Sequence, residues 1–440
     1  MTGIEELTNA LKNGRAIYEE IMGRDTCPDF RVRELYSARG ESGSRAMAED
    51  DAEGTIACGD NLEYMEYLLK KCGMAGKLQL VYVDPPFFSK GRYQASVTIT
   101  SEEKGKSPVI KTGAYDDTWE GSVEKYLTMM TVSLLMMREL LSDTGLIWVH
   151  LDWHCAHYVK IIMDEIFGYD NFVNEIIWTY KSGGASGRCF AKKHDTLLLY
   201  SRSRKYKFNK MREKSYNRGM KPYRFKGVEE YQDEKGWYTM VNMKDVWNID
   251  MVGRTSSERT GYATQKPEKL LERILASCTD EGDFCADFFA GSGTLGAVAR
   301  KMGRRWIMCD SGDLAAAGQI KRICSMGKEN RPFRVVGKNA DTSSGEAAFA
   351  LEDGMLKITG YKPKLSGLSP SDMEKTADFL RGDGRPCISF WSLDREYDGL
   401  VHRSSEFLEG RYSVEIGEGS VHVTGYDVFG NRFCWERIKG

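Results

Sequence analysis

The apolar run Leu78-Gln79-Leu80-Val81-Tyr82-Val83 is broken by a single polar residue and stops abruptly at Asp84-Pro85-Pro86-Phe87. A short, nearly continuous apolar run of this kind reads as a strand buried on both faces, as in the interior of a parallel sheet. The neighbouring pattern alternates in the same style. It predicts a short strand before Gly59-Asp60, a helix over 61–71, a long loop after Asp84, a helix over 123–141, a strand over 145–151 and a helix near 155–167. Strands over 175–180 and 196–200 follow. After a break the alternation resumes with a helix over 267–278, a strand over 284–289, a helix over 295–302 and a strand over 305–310. Strands alternating with helices predict an α/β fold, a parallel sheet covered on both faces.

Three segments depart from that period. Residues 1–50 read as a helical extension, with a helix-like pattern around Ile4 to Met22, followed by a Gly/Ser-rich linker at Ser37 to Ser44. Residues 201–262 are polar and aromatic, and basic in their first half, where Arg202, Arg204, Lys205, Lys207, Lys210 and Arg212 continue through Lys226, interleaved with Tyr206, Phe208, Tyr216, Tyr223 and Phe225. Because the α/β pattern resumes beyond them, they read as an insertion in one domain, 51–200 and 263–338 being its two parts. Beyond residue 339 short alternating runs such as 387–391, 411–416 and 420–426 predict a separate β-rich appendage to residue 440.

Composition narrows the setting. A chain of 440 residues can bury a full core, and its net charge of -2 excludes a uniformly basic nucleic-acid coat while leaving room for the local basic surface at 201–226. Eleven cysteines without a CxxC pair, no signal-peptide pattern and no membrane-length apolar stretch predict reduced thiols in a cytoplasmic protein that does not engage a membrane. His150, Asp152, His154 and His157 crowd together but span a strand, a loop and a helix without ligand spacing, so no metal is expected.

The candidate chemistry lies at two strand ends. The second, Phe284 to Thr294, ends an apolar run in Asp287-Phe288-Phe289-Ala290-Gly291-Ser292-Gly293-Thr294 and then opens a helix. Glycines there let backbone approach a ligand, and the helix N-terminus offers N–H donors. The loop is read as neither a P-loop, since no Gly-Lys-Ser/Thr follows, nor a dinucleotide fingerprint, so no phosphate is demanded. Asp310, ending the next strand, is placed to accept hydrogen bonds from ribose hydroxyls.

Together the two motifs resemble the amino-group DNA methyltransferases that use S-adenosylmethionine, over roughly residues 55–325. Their order, catalytic motif before cofactor loop, is similar to the β class of these enzymes, with target recognition between. The resemblance implies a Rossmann-like methyltransferase sheet in which Asp84, Pro85, Pro86 and Phe87 form the catalytic loop. It further implies that Asp60, Thr264, Gln265, Lys266, Asp287, Phe289, Gly291, Ser292, Gly293, Thr294 and Asp310 hold S-adenosylmethionine. An exocyclic amine is a poor nucleophile because its lone pair is delocalised into the ring. A carboxylate and a carbonyl with no competing donor suit it, since they accept its hydrogens, and Phe87 offers a face for a base flipped out of duplex DNA. Asp first and Phe fourth point to adenine N6, with cytosine N4 as the alternative. A non-catalytic DNA-binding subunit and an RNA methyltransferase are the rivals from further away. His194-Asp195, with Tyr180 and Lys181, resembles the family element that touches the flipped base, with structural packing as the equal alternative. No role is assigned to Asp116, Asp117 or Trp119 ahead of the helix containing Tyr126. Val421 to Asn431 is similar to modification subunits of type III restriction systems, which admits a partner nuclease without requiring one, and β-class relatives are often homodimers.

Overall fold

The computed structural model of the protein describes residues 3–36, 52–99, 107–181, 187–326, 332–338, 344–365 and 368–439. The linker expected at Ser37 to Ser44 lies outside the described residues. The main sheet has eleven strands, in the spatial order Val246–Asn248, Phe172–Thr179, His194–Ser201, Leu141–Leu151, Leu78–Val83, Phe284–Asp287, Arg305–Asp310, Gly54–Cys58, Phe333–Gly337, Arg31–Tyr36 and His402–Ser404. The six from Leu141–Leu151 to Phe333–Gly337 run parallel to one another. Every residue of Leu78–Val83 is buried, because Val81 and Val83 face one helical layer while Leu80 and Tyr82 face the other.

The first layer consists of α1 (Ile4–Gly23), α2 (Asn61–Lys70), α3 (Val123–Leu140) and α4 (Ala156–Phe167). The second consists of α5 (Glu268–Cys278), α6 (Thr294–Lys301) and α7 (Asp313–Cys324). From Leu78–Val83 the chain leaves through α3 to the neighbour on one side, whereas from Phe284–Asp287 it leaves through α6 to the neighbour on the other. These two strands are adjacent, so their outgoing loops diverge and open a crevice at their carboxyl ends. Ligands of open α/β sheets bind at such a switch point.

Several boundaries differ from the sequence expectations. The long loop after Asp84 contains a hairpin, Arg92–Thr98 with Val109–Asp116, whose distal Ile99 and Ile110 are buried in the C-terminal core and whose base is closed by stacking of Tyr93 on Tyr115 at 4.7 Å. Inside 201–262, a separate three-stranded sheet spans Arg212–Tyr216, Glu230–Asp233 and Gly236–Asn242, and the chain rejoins the main sheet at Val246–Asn248, well before residue 262. The strand expected over 284–289 stops at Asp287, where the glycine loop begins.

The two ends of the chain are also more integrated than the pattern suggested. Arg31–Tyr36 pairs antiparallel with Phe333–Gly337 and parallel with His402–Ser404, so residues 1–50 supply a strand of the main sheet and the C-terminal region supplies its last one. The β-rich region is therefore stitched on, not appended. Its remaining strands form one four-stranded and one three-stranded sheet with helix α8 (Pro370–Leu380). At the seam the wholly buried Glu34 accepts hydrogen bonds from Tyr36 Oη at 2.6 Å, Tyr426 Oη at 2.9 Å and Arg432 Nε at 2.8 Å. Burial works against its charge, but Arg432 above all holds its carboxyl down to about 2.

Beside this pair, His402 Nδ1 lies 2.8 Å from His422 Nδ1, and its Nε2 lies 2.8 Å from Ser392 Oγ. Burial first, and then His422, pushes the His402 imidazole down to about 3. The folded protein thus keeps His402 neutral where the unfolded chain protonates it, below its ordinary value of about 6.5. Stability from this site is complete above that value and is lost as pH falls toward the folded value. Between pH 7 and 5 the loss is expected to be about 2 kcal/mol. Denaturant unfolding at the two pH values should show it in the native protein and a smaller difference in His402→Gln.

Candidate active site

The Asp84 loop is held by Asp117, to which no role was assigned from sequence. Phe88 and Lys90 adopt left-handed backbone, with φ of 57° and 59°, which costs free energy for side chains of this size. Asp117, fully buried, offsets it: its carboxylate accepts from Phe88 N at 3.0 Å, Ser89 N at 2.7 Å, Ser89 Oγ at 2.7 Å and Trp119 Nε1 at 3.0 Å. Asp117→Asn replaces an acceptor with a donor facing donors. A loss of about 1–3 kcal/mol is expected, with faster amide exchange at Phe88 and Ser89 than in the native protein.

Asp84 directly follows the wholly buried strand Leu78–Val83. Its Oδ2 accepts from Lys266 Nζ at 2.6 Å, and the same ammonium lies 5.2 Å from the centre of the Phe87 ring. Behind the loop runs a buried chain of polar groups. Tyr82 Oη is 2.8 Å from His150 Nδ1, His150 Nε2 is 3.1 Å from Asp195 Oδ2, and Tyr180 Oη donates to Asp195 Oδ1 at 3.0 Å. His150 also lies 5.8 Å from Phe87, ring centre to ring centre. Burial works upward on the Asp195 carboxyl, yet the hydrogen bond and charge of His150, with Lys266 and Tyr180, hold it below the ordinary range.

The glycine loop faces Asp84 across the crevice. Gly293 has φ of 73°, and a Cβ there would meet Gln319 Cγ at 2.8 Å, so the position requires glycine. Gly291, at φ 46°, lies under the Tyr262 ring, which a Cβ would approach to 3.1 Å. Contrary to the sequence reading, Gly291, Gly293 and Gly296 do have the dinucleotide spacing, and a Cβ on Gly296 would press on Met308 Sδ at 2.5 Å. The third glycine therefore allows close helix–strand packing, as in that fingerprint. Asp310 fixes the loop by accepting from Gly291 N at 2.8 Å and Gly312 N at 2.9 Å, each carboxylate oxygen retaining a further lone pair. Burial raises the carboxyls of Asp310 and Asp287, the latter well above its usual range, with Asp84 and Asp310 adding to the effect on Asp287. Asp60 caps α2, accepting from Leu62 N at 3.0 Å and Glu63 N at 3.1 Å.

These elements enclose a cavity of about 430 Å³. Asp60, Asp84, Pro85, Pro86, Phe87, Thr264, Lys266, Asp287, Phe289, Gly291, Ser292, Thr294 and Asp310 all line it. Gly293 lies beneath the loop. Gln265 does not line the cavity: its Oε1 accepts from Thr260 N at 2.8 Å and its Nε2 donates to Glu258 O at 2.6 Å, so it braces the 258–264 loop. Tyr115, Asp116, Trp119 and Tyr262 also line the cavity, brought in by the hairpin, the turn Trp119–Gly121 that follows it and the 258–264 loop, where no periodic pattern marked them. Arg322 was likewise missed. From α7 it donates to Ser292 O at 3.0 Å, Thr294 Oγ1 at 3.1 Å and Glu268 Oε1 at 2.9 Å, tying the glycine loop to α5. Five carboxyl groups against one lysine make the lining acidic.

The histidine-rich segment is dispersed. His150 belongs to the buried chain, whereas His154 Nδ1 pairs with Asp152 Oδ2 at 2.7 Å. Among the described residues no three His, Cys, Asp or Glu side chains are placed to hold a metal ion, and no helix is long and apolar enough to cross a membrane. In the basic segment, Arg204 pairs with Asp170, Lys207 with Asp283 and Lys214 with Asp233. Lys210, Arg212, Arg218, Lys221, Arg224 and Lys226 are exposed, as are Tyr206, Phe208, Tyr223 and Phe225.

Over residues 78–318 the sequence matches the family described as DNA methylase, which comprises N6 and N4 methyltransferases. It is 29% identical over 237 residues to the type II methyltransferase M2.DpnII of Streptococcus pneumoniae, covering 53% of this chain and 78% of that one. It is 26% identical over 269 residues to the type II methyltransferase M.HinfI of Haemophilus influenzae, covering 59% and 65%. Among solved structures, the complex of M1.HpyAVI with SAM superposes with a TM-score of 0.40 at 16% identity, covering 61% of this chain and 98% of that one.

Proposed function

The chain belongs to the DNA methylase family, and we propose that it transfers a methyl group from S-adenosylmethionine to the exocyclic N6 of adenine in duplex DNA. The observation that carries this reading is the meeting of the Asp84 loop and the glycine loop around one acidic cavity at the switch point of the sheet. The ionised carboxylates of the lining would repel a pyrophosphate even though the glycine spacing suits one, whereas a cationic sulfonium and ammonium are favoured, and a bound cation would return Asp287 toward its ionised form. Asp310 has lone pairs left for ribose hydroxyls, and Gly291 to Thr294 would pack against the remainder of the cofactor.

S-adenosylmethionine, when bound, supplies a methyl carbon activated by its sulfonium. Everything else falls to this chain. The Asp84 carboxylate and the Pro85 carbonyl accept the hydrogens of the target amine, drawing its lone pair out of conjugation, and Asp84 takes the proton that the amine gives up. Phe87 stacks on the flipped base, with Lys266 anchoring the carboxylate beside it. The exposed basic and aromatic side chains of 206–226 suit phosphate contacts and stacking or wedging against DNA. A cytoplasmic location fits this work. A homodimer or a restriction nuclease as partner would be tested by light scattering and co-purification.

Incubation with duplex DNA and methyl-labelled S-adenosylmethionine, followed by digestion to nucleosides and mass spectrometry, is expected to yield N6-methyldeoxyadenosine. Label in N4-methyldeoxycytidine would transfer the reading to the cytosine branch, and label in neither would remove it.

A further inference from the structure

Asp84 has two unlike oxygens. Oδ2 is taken by the Lys266 ammonium, whereas Oδ1 is buried and has no hydrogen-bond partner among the described residues. A buried carboxylate oxygen without a donor is costly, so an open one suits a ligand that brings its own hydrogen. The nearest ring nitrogen, His150 Nδ1, stands 3.9 Å away, outside hydrogen-bond range. What keeps that nitrogen from donating can be read from the groups around it.

Asp195 accepts only, when ionised, so His150 Nε2, at 3.1 Å from it, must carry the hydrogen. In the neutral ring this leaves Nδ1 with a bare lone pair, which Tyr82 Oη fills from 2.8 Å by donating its own hydrogen. Tyr180, donating to Asp195 Oδ1, holds the other end of the chain. We propose that Tyr82, His150 and Asp195 form a positioning relay that fixes His150 in its Nε2–H tautomer and so keeps Oδ1 of Asp84 free to accept a hydrogen of the target amine. The relay rests on the functional reading above. His150 is a positioning residue, since it touches Asp84 and Phe87 and not the reacting atoms.

The same geometry makes the relay sensitive to protons. A proton added to His150 can enter only at Nδ1, on the side facing Tyr82 and Asp84, where it creates a donor and a positive charge next to the acceptor. Asp84, Asp195 and Tyr82 face the ring itself, with Tyr180 on Asp195, Lys266 on Asp84 and Asp287 near Tyr82 behind them. Methyl transfer therefore falls when a proton is placed at Nδ1.

Long-range proton–nitrogen correlation spectra of the histidine-labelled protein, which need no activity, are expected to show His150 as the Nε2–H tautomer; an Nδ1–H tautomer would overturn the relay. In single-turnover assays His150→Gln and Asp195→Asn are expected to lose up to roughly 10²-fold in rate with cofactor and DNA affinity retained. In Asp195→Asn, whose side-chain amide can either accept or donate, the same spectra should show the Nδ1–H form of His150 appearing beside the Nε2–H form. An unchanged tautomer in Asp195→Asn, native rates in both variants, or a rate loss that merely follows lost thermal stability, would show a packing role only and sink the proposal. Complete absence of transfer by the native protein would overturn the functional reading instead, leaving the tautomer measurement to decide the relay.

Discussion

Asp84→Ala is expected to slow methyl transfer by roughly 10²–10⁴-fold while DNA and cofactor binding stay close to native. The size follows from what the carboxylate does. It is the one anionic acceptor in the Asp84-Pro85-Pro86-Phe87 loop, and neither proline can supply a hydrogen-bonding side chain or an N–H. Removing it leaves the amine conjugated with its ring and leaves Lys266, which is 7% exposed, as a buried cation without its partner. Asp84→Asn separates the two effects: it retains an oxygen acceptor and the shape of the loop but cannot take up the proton. Single-turnover transfer, with binding measured separately by fluorescence anisotropy, reads this difference. Native rates in either variant would take Asp84 out of the chemistry.

The second large effect concerns stability, far from the site. Arg432→Met leaves the Glu34 carboxylate wholly buried with Tyr36, Thr424 and Tyr426 as its remaining partners. Breaking a buried pair in this way costs about 3–5 kcal/mol. Glu34→Gln together with Arg432→Met removes both charges, and the double variant is expected to regain much of that loss, because desolvating two ions offsets most of their attraction. Denaturant unfolding of the two single variants and the double gives the coupling directly; additive losses would show that the pair is not a unit. Glu34 lies on a strand from the N-terminal segment and Arg432 on one from the C-terminal region, so the cycle also tests whether the two ends fold together.

Much of the site was legible because strand ends carry local signals. Asp84 and Asp287 each terminate a run whose burial on both faces excludes charge, so a carboxylate there has to face an opening. The pairing of Asp84 with Lys266 was not legible: 182 positions separate them, and only the crossing of the 258–264 loop over the switch point brings them together. Gln265 shows the same limit from the other side, since its neighbours Thr264 and Lys266 line the cavity while it braces the loop behind them. Asp117 gave no signal at all, because a carboxylate that satisfies four donors of a nearby loop looks in sequence like any exposed aspartate.

What the amino-acid order determined by itself was the layer architecture and the two loops that end its central strands, for these depend on periodicity and on the chemistry of proline, glycine and aspartate within a few residues. The tertiary structure alone decided which groups meet: Lys266 with Asp84, His150 with Asp195, Glu34 with Arg432. Hydrogen bonds and ion pairs act over about 3–4 Å, a distance that the chain can set between neighbours but that only the packed sheet sets between residues far apart in sequence.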